Sequence, residues 1–301
     1  MGDPSGIGPE VIAKSLSKAS IRRLAKFIIV GDYGIYRRYS SKHFDKCTFI
    51  DLKNISPTQF HFGKSNAQSA KASLEYLKEA LGLIMKKEVN ALVTAPVSKE
   101  AICAIGEEFH GHTEYIANYF GIKNFAMMFV AHALKTVVVT RHIPLKEVSR
   151  AVSPKRLYDT IVLTADALKR NFRIKHPSIA VCGMNPHAGE QGTIGTEEII
   201  TISPAIQRLK RKGLNIFGPF SADTLFYPPM AKKYDSIVAM YHDQGLIPIK
   251  TLYFNKLVNL TLGLPFIRTS PAHGTAFDIV GKNKADPSSM IEAIKLAVQL
   301  S

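Results

Sequence analysis

Three histidines stand just past stretches that read as buried strands. His142, in Arg141-His142-Ile143-Pro144, follows the run KTVVVT (135–140); His187, in Asn185-Pro186-His187-Ala188-Gly189-Glu190, follows IAVC (179–182); His242, in Tyr241-His242-Asp243-Gln244-Gly245, follows 236–240. Their separations, 187 − 142 = 45 and 242 − 187 = 55 residues, rule out a local motif such as H-E-x-x-H. A lone histidine is more often a satisfied polar residue than a ligand. Three at equivalent topological positions point instead to a divalent metal held by imidazoles. Such a metal keeps open positions, with which it polarises a substrate hydroxyl and carbonyl.

Other residues could recognise an anionic substrate. Lys250, Asn259 and Arg268 follow one another at nine-residue steps and suit carboxylate or phosphate. The alternative is a solvated basic face, which weakens at Arg268 because its surroundings, GLPFIRTS, are largely apolar. His112 and Thr113, in Gly111-His112-Thr113-Glu114, sit where the sequence predicts a helix start, and there substrate binding competes with simple capping. The opening loop GDPSGIGPE (2–10) places Pro9 at a first helical position, and its glycines admit either an anion or a tight strand-to-helix turn. The strand expected before this loop is missing, so either the chain begins there or its natural start lies upstream. The small-residue stretch Ser270–Lys282 carries one central acid, Asp278, able to accept hydrogen bonds from ribose hydroxyls and to disfavour a ribose phosphate. No G-x-G-x-x-G lies within a βαβ unit, so an ordinary dinucleotide fold is a poor reading.

The elements that must position these residues alternate. Strand-like runs occur at 26–32, 90–96, 135–140, 179–182 and 236–240. Ala67, Ala70, Leu74, Leu77, Leu81 and Ile84 mark one face of a helix; Ser153-Pro154 and Asp286-Pro287 read as the starts of two more. This order predicts an α/β fold with a largely parallel sheet, in which ligands gather at the carboxyl ends of strands. Residues 56–69 read as a long surface loop, and no linker divides the chain cleanly.

Composition narrows the class. With 301 residues, 46% hydrophobic and 21% charged, the chain can bury a sizeable core and extensive disorder is excluded. The net charge of 39 − 24 = +15 favours anionic partners without choosing among them. There is no nucleic-acid motif. Three scattered cysteines (Cys47, Cys103, Cys182) form no C-x-x-C pair and fit a reducing cytoplasm. The start has no signal-peptide pattern, and no apolar run approaches a membrane span.

The motifs GDPSGIGPE, TAPVSKE, GHTEY, RHIPL, NPHAGE, GPFSADTLF, YHDQG, GLPFIRTS and HGTAFDI, in this order, resemble the 4-hydroxythreonine-4-phosphate dehydrogenase family of pyridoxal phosphate biosynthesis. The loop HGTAFDIVGK also resembles the adenosine loop of isocitrate and isopropylmalate dehydrogenases. The resemblance implies two α/β/α domains around a central cleft. The first would span 1–110 plus 250–301 with the nucleotide loop, and the second 111–249 with the metal ligands and a homodimer interface. It implies a metal (zinc, magnesium or cobalt) on His142, His187 and His242, and substrate contacts from His112, Thr113, Lys250, Asn259 and Arg268. Asp243, Asp223 and Lys250 would be catalytic candidates. NAD, with NADP as the alternative, would lie against His273, Gly274, Thr275 and Asp278. The implied reaction oxidises 4-phosphooxy-L-threonine to 2-amino-3-oxo-4-phosphooxybutanoate, which decarboxylates to 3-amino-2-oxopropyl phosphate. Rival readings are a same-family enzyme for erythronate or threonate 4-phosphate, a phosphotransacylase, which would need neither histidines nor NAD, and a nucleic-acid binder.

Overall fold

Strands and helices follow one another along the chain, as the periodicities require. The structure, a computed structural model, describes residues 1–40, 44–56 and 60–301. The strands are β1 (Phe27–Gly31), β2 (Cys47–Asp51), β3 (Ala91–Val93), β4 (Ala126–Ala131), β5 (Leu134–Val138), β6 (Ser178–Cys182), β7 (Asn215–Phe220), β8 (Ser236–Ala239), β9 (Val258–Leu262) and β10 (Ile267–Pro271). The principal helices are α1 (Gly8–Ser17), α2 (Ala67–Met85), α3 (His112–Tyr119), α4 (Pro154–Arg170), α5 (Ser203–Arg211), α6 (His242–Tyr253) and α7 (Ser288–Leu300).

The helix starts obey local chemistry. Asn66 and Ser69 cap α2 reciprocally: the Ser69 amide donates to Asn66 Oδ1 at 2.9 Å, and the Asn66 amide donates to Ser69 Oγ at 2.8 Å. Ser153 Oγ accepts from the Arg156 amide at 3.2 Å, with Pro154 at the first helical position. Asp286 Oδ1 accepts from the Ser288 amide at 2.9 Å ahead of α7. Residues 57–59 of the expected 56–69 loop lie outside the described residues, and the last part of that stretch is already α2.

The chain divides into two units, Met1–Gly121 with Pro265–Ser301, and Ile122–Leu264. The crossing points fall later along the chain than the expected 110 and 250. Helix α3 buries Thr113, Ile116 and Ala117, and Thr113 bonds Arg268, so it belongs to the first unit. Strand β9 lies antiparallel against β4, Phe129 opposite Asn259, which draws residues up to 264 into the second.

In the first unit β1 pairs in parallel with β2, and β3 with β10. Ile29 faces a cluster with Val11, Leu16, Met290 and Ile294, while its neighbour Val30 faces Ala72, Tyr76 and Leu83. Alternate residues thus feed two layers of helices. In the second unit the strand order is β9-β4-β5-β8-β6-β7. β5, β8, β6 and β7 run parallel; β4 is reversed, forming a hairpin with β5 and an antiparallel pair with β9. The expected parallel sheet therefore carries one inverted strand, and AMMFVA (β4) was not among the expected strands. An unbroken apolar run has no alternation to separate strand from buried helix. Strands β6 and β8 are buried on both faces, which is why they lack polar alternation.

One buried polar contact joins α2 to the end of β1. The Tyr76 hydroxyl donates to Asp32 Oδ2, and Asp32 Oδ1 accepts from the Ile55 amide at 3.0 Å. Burial and the facing carboxylate push the Tyr76 phenol far above its usual range. Replacing Tyr76 by Phe leaves a buried carboxylate oxygen without this donor. The expected loss is about 1–3 kcal/mol in urea denaturation; an unchanged midpoint would show the contact to be without net value.

Candidate active site

Parallel strands align their carboxyl ends on one edge, and the second unit uses that edge. In sheet order, β5 is followed along the chain by His142, β8 by His242, β6 by His187 and β7 by Asp223. Adjacent strands lie about 4.8 Å apart, and the rings of His142 and His242 accordingly come within 5.5 Å of one another, centroid to centroid, tilted by 48°. His242 is the first residue of α6, and its Nδ1 lies 2.7 Å from Asp243 Oδ1. A carboxylate on one ring nitrogen orients an imidazole and leaves the other nitrogen for a metal. Among the described residues, no group of three or more His, Cys, Asp and Glu has the spacing to hold a metal ion. The structure brings His142 and His242 together, while His187 stands beside Asp223. The Asp223 carboxyl is held below its ordinary value, first by the Ser221 hydroxyl at 2.6 Å and the Thr224 amide at 2.8 Å, with a smaller contribution from His187. The paired imidazoles and the carboxylate-oriented ring fit a divalent cation in donor type.

The loop that carries His187 is held by a residue the sequence did not flag. Residues His187 to Gln191 all have positive φ, between 41° and 79°. Such a turn is costly for side chains and persists only where its surroundings impose it. Glu198, 3% exposed, supplies the constraint: its carboxylate accepts from the Met184 amide at 2.6 Å, the Asn185 amide at 2.8 Å and Asn185 Nδ2 at 2.9 Å. Gly195 (φ 138°) admits the Asn185 side-chain amide, which would lie 2.4 Å from a Cβ there. Gln244 ties two strand ends, accepting from the Met240 amide at 2.7 Å and donating to the Gly183 carbonyl at 2.8 Å. Asn185 and Gln244 lay inside quoted motifs; Glu198, in TEEII, carried no signal. Lys250 stands two turns along α6 from His242, and Asn259 lies on β9.

The first unit holds the remaining candidates. Arg268, on β10, is 2% exposed. Its Nη2 donates to Thr94 Oγ1 at 2.7 Å and its Nη1 to Thr113 Oγ1 at 3.2 Å. Burial lowers its pKa to about 10, opposed by Glu114, so it stays cationic at neutral pH. The solvated-basic-face alternative therefore fails here. Capping also fails as the role of Thr113: the residue preceding α3 is Gly111 (φ 144°), and no side chain caps it. His112 is driven well below the ordinary imidazole value by burial and then by the Arg268 charge. Thr94, on TAPVSKE, had not been singled out.

The two glycine-rich loops meet within this unit. The Ile7 amide donates to the Thr275 carbonyl at 3.0 Å, and a Cβ on Gly6 would lie 3.1 Å from Thr275. The amides of the opening loop are spent internally: Asp3 on the Pro96 carbonyl, Ser5 on Asp3 Oδ1, Gly6 on the Asp3 carbonyl. A buried carboxylate, Asp3, already lies among them, so the tight-turn reading prevails over anion binding. The second loop remains open to a ligand. Gly274 and Asp278 are exposed, nothing lies within 4 Å of a Cβ on Gly274, and His273 Nε2 is buried without a partner.

The family model described as pyridoxal phosphate biosynthetic protein PdxA matches residues 11–297. The chain belongs to the PdxA family. A 4-hydroxythreonine-4-phosphate dehydrogenase of Desulforapulum autotrophicum is 41% identical over 99% of this chain and 93% of that relative. A D-threonate 4-phosphate dehydrogenase of Pectobacterium atrosepticum is 40% identical over 100% and 98%. The crystal structure of a putative 4-hydroxythreonine-4-phosphate dehydrogenase from Salmonella typhimurium superposes with a TM-score of 0.88 at 38% identity, covering 100% of this chain and 98% of that one. This PdxA-family chain is thus an α/β oxidoreductase, and no helix among its described residues is long and apolar enough to cross a membrane.

His112 gives a pH test. Its folded pKa lies below the free value of about 6.5, so the unfolded chain takes up the proton first as pH falls. Its contribution is intact above about pH 6.5 and declines as pH drops toward the folded value. Replacing His112 by Asn is expected to flatten the stability loss between pH 7 and 5. An NMR titration midpoint near 6.5 for His112 would remove this origin.

Proposed function

We propose that this chain is a metal-dependent dehydrogenase that oxidises 4-phosphooxy-L-threonine to 2-amino-3-oxo-4-phosphooxybutanoate, which then loses carbon dioxide to give 3-amino-2-oxopropyl phosphate. The observation that carries the proposal is the placement of His142, His242, His187 and Asp223 past the carboxyl ends of four successive parallel strands. Full-length relatives named as 4-hydroxythreonine-4-phosphate dehydrogenases support the substrate. When bound, a divalent metal such as zinc, magnesium or cobalt supplies a Lewis acid for the substrate alcohol, and NAD supplies the hydride acceptor.

The chain's own residues bind and orient. His142, His187 and His242 are the proposed metal ligands, with Asp243 fixing the His242 ring. Asp223, kept ionised by Ser221 and Thr224, is a weak proton acceptor and suits orienting a water or a cation beside the reacting groups. Lys250, Asn259, His112, Thr113 and Arg268 are the proposed contacts to the substrate's charged and polar groups. Neutral His112 can donate or accept beside the Arg268 cation. Asp278 would take the ribose hydroxyls of NAD, with His273, Gly274 and Thr275 forming the surrounding loop; an acid there disfavours NADP. A homodimer is supported by the exposed apolar residues Ile194, Ile199, Ile200 and Tyr227, which flank the His187 loop and the Asp223 turn in sequence. Three free thiols fit the reducing cytoplasm. The second reading, D-threonate 4-phosphate as substrate, is favoured by the Pectobacterium relative.

Chelated protein resupplied with single divalent metals is expected to reduce NAD with 4-phosphooxy-L-threonine. Turnover confined to threonate or erythronate 4-phosphate would transfer the assignment to the second reading, and silence on all three substrates would reopen the transferase alternative. Alanine at His142, His187 or His242 is expected to lower metal content and turnover together. Wild-type metal content in all three variants would exclude the triad. Arg268→Met is expected to cut kcat/KM by about 10- to 100-fold, as loss of one or two charge-assisted hydrogen bonds implies, with NAD affinity unchanged. An equal loss of NAD affinity would move Arg268 to the cofactor.

A further inference from the structure

The loop proposed to hold NAD is tied at its far end to the first helix. Glu10 and Lys14 stand one turn apart on α1 and so share a face. Lys14 Nζ donates to Glu10 Oε1 at 2.7 Å, to the Asn283 carbonyl at 2.9 Å and to the Ala285 carbonyl at 2.9 Å. An ammonium has three N–H donors, and these three acceptors match them. Glu10 Oε1 also accepts from the Ala285 amide at 3.0 Å. One side-chain pair therefore grips three backbone atoms of the 283–285 segment.

Packing alone does not call for this grip. Glu10 is 0% exposed, and its Oε2 has no hydrogen-bond partner among the described residues. Burying a carboxylate with one oxygen unmet carries a cost that an apolar residue at the same position would not. Helix α1 has apolar contacts enough without it, since Val11 and Leu16 pack in one cluster with Met290 and Ile294 of α7. The segment that the pair holds has little core of its own. Residues 281–284 are exposed, and Asn283 has φ 56°. Backbone in that region persists where its surroundings impose it. On the near side of Asp278 the opening loop does the holding: the Ile7 amide donates to the Thr275 carbonyl at 3.0 Å. There Ala276 (φ 43°) turns the chain into Phe277–Ile279, which displays the exposed Asp278. On the far side the holding falls to Glu10 and Lys14.

We propose that Glu10 and Lys14 are positioning residues for the nucleotide cofactor. By fixing 283–285 they keep Asp278 and His273 in the arrangement that receives the adenosine half, and they set cofactor affinity through the loop rather than by contact with the reacting atoms. The proposal rests on the assignment of 273–278 to NAD. A loop ordered before binding loses less conformational freedom when the ligand arrives. Released from α1, the loop would have to be ordered by the cofactor itself, so affinity falls while turnover at saturation is kept.

The test compares the unchanged chain with Lys14→Met, Lys14→Arg and Asp278→Ala by calorimetric titration with NAD, amide exchange and steady-state kinetics. Lys14→Met is expected to raise the Kd for NAD by about tenfold or more and to speed exchange of the amides of 278–284 to a similar degree, with kcat at saturating NAD and the KM for the phosphorylated substrate within about twofold of the unchanged chain. Lys14→Arg, which still offers cationic N–H donors, is expected to recover most of the NAD affinity. If Lys14→Met does not fold, the double variant Glu10→Gln/Lys14→Met gives the same comparison without an unpaired buried charge. Normal NAD affinity in Lys14→Met, with weakened binding in Asp278→Ala, overturns the positioning role and leaves the cofactor loop standing. Normal affinity in both variants, or no NAD binding by the unchanged chain, removes the loop assignment and the proposal with it. Equal losses in kcat, substrate affinity and NAD affinity that Lys14→Arg does not recover overturn it as a general loss of structure.

Discussion

The parallel alignment of β5, β8, β6 and β7 is the constraint on which the chemistry depends. Parallel strands must all end on the same edge, so residues scattered over 82 positions of sequence, from His142 to Asp223, with His242 beyond them, are delivered to one line. The pairing register sets their spacing in steps of about 4.8 Å, so the neighbours His142 and His242 come within 5.5 Å, while no three of these residues have the spacing to hold a metal ion. The reversed β4 does not disturb this, because it lies on the far side of β5 and hands the chain back through a hairpin.

Around that edge, buried charge does the positioning. Glu198 has almost no contact with solvent and spends its carboxylate on three N–H groups of the loop that bears His187. Removing a buried acceptor costs more than its hydrogen bonds return on average, because the donors are left unpaired. In the other unit the buried Arg268 guanidinium is held by two threonine hydroxyls, and its charge adds to the burial that keeps the His112 imidazole below its ordinary value. Each unit thus contains a preorganised polar group whose burial has been compensated by hydrogen bonds rather than by solvent.

Recognition from motifs and recognition from geometry agreed in different places. The α/β class, strands β1, β3, β5, β6 and β8, and the helix starts at Ser153 and Asp286 were legible from periodicity and capping chemistry. AMMFVA was not, since an apolar run of six residues carries no period. The opening glycine-rich loop could be read either as an anion site or as a turn, and spacing could not choose. The structure chose through hydrogen-bond accounting: the loop's amides are already satisfied, and Asp3 sits where an anion would. Thr113, which spacing leaves open between cap and ligand, caps nothing in the structure; its hydroxyl accepts from Arg268, distant in sequence.

What the sequence by itself determined was local: five of the ten strands described, where several helices begin, which side chains have the chemistry of ligands, and, through nine motifs in order, the family. These follow from period, capping and residue type, which act over a few positions. Tertiary structure alone decided the partners. It placed α3 with β10 and so paired Thr113 with Arg268, put Glu198 beneath the His187 loop, and brought His142 against His242 while leaving His187 beside Asp223. Such pairings join residues up to 155 positions apart, and strand order and chain crossing, rather than any local preference, bring them into contact.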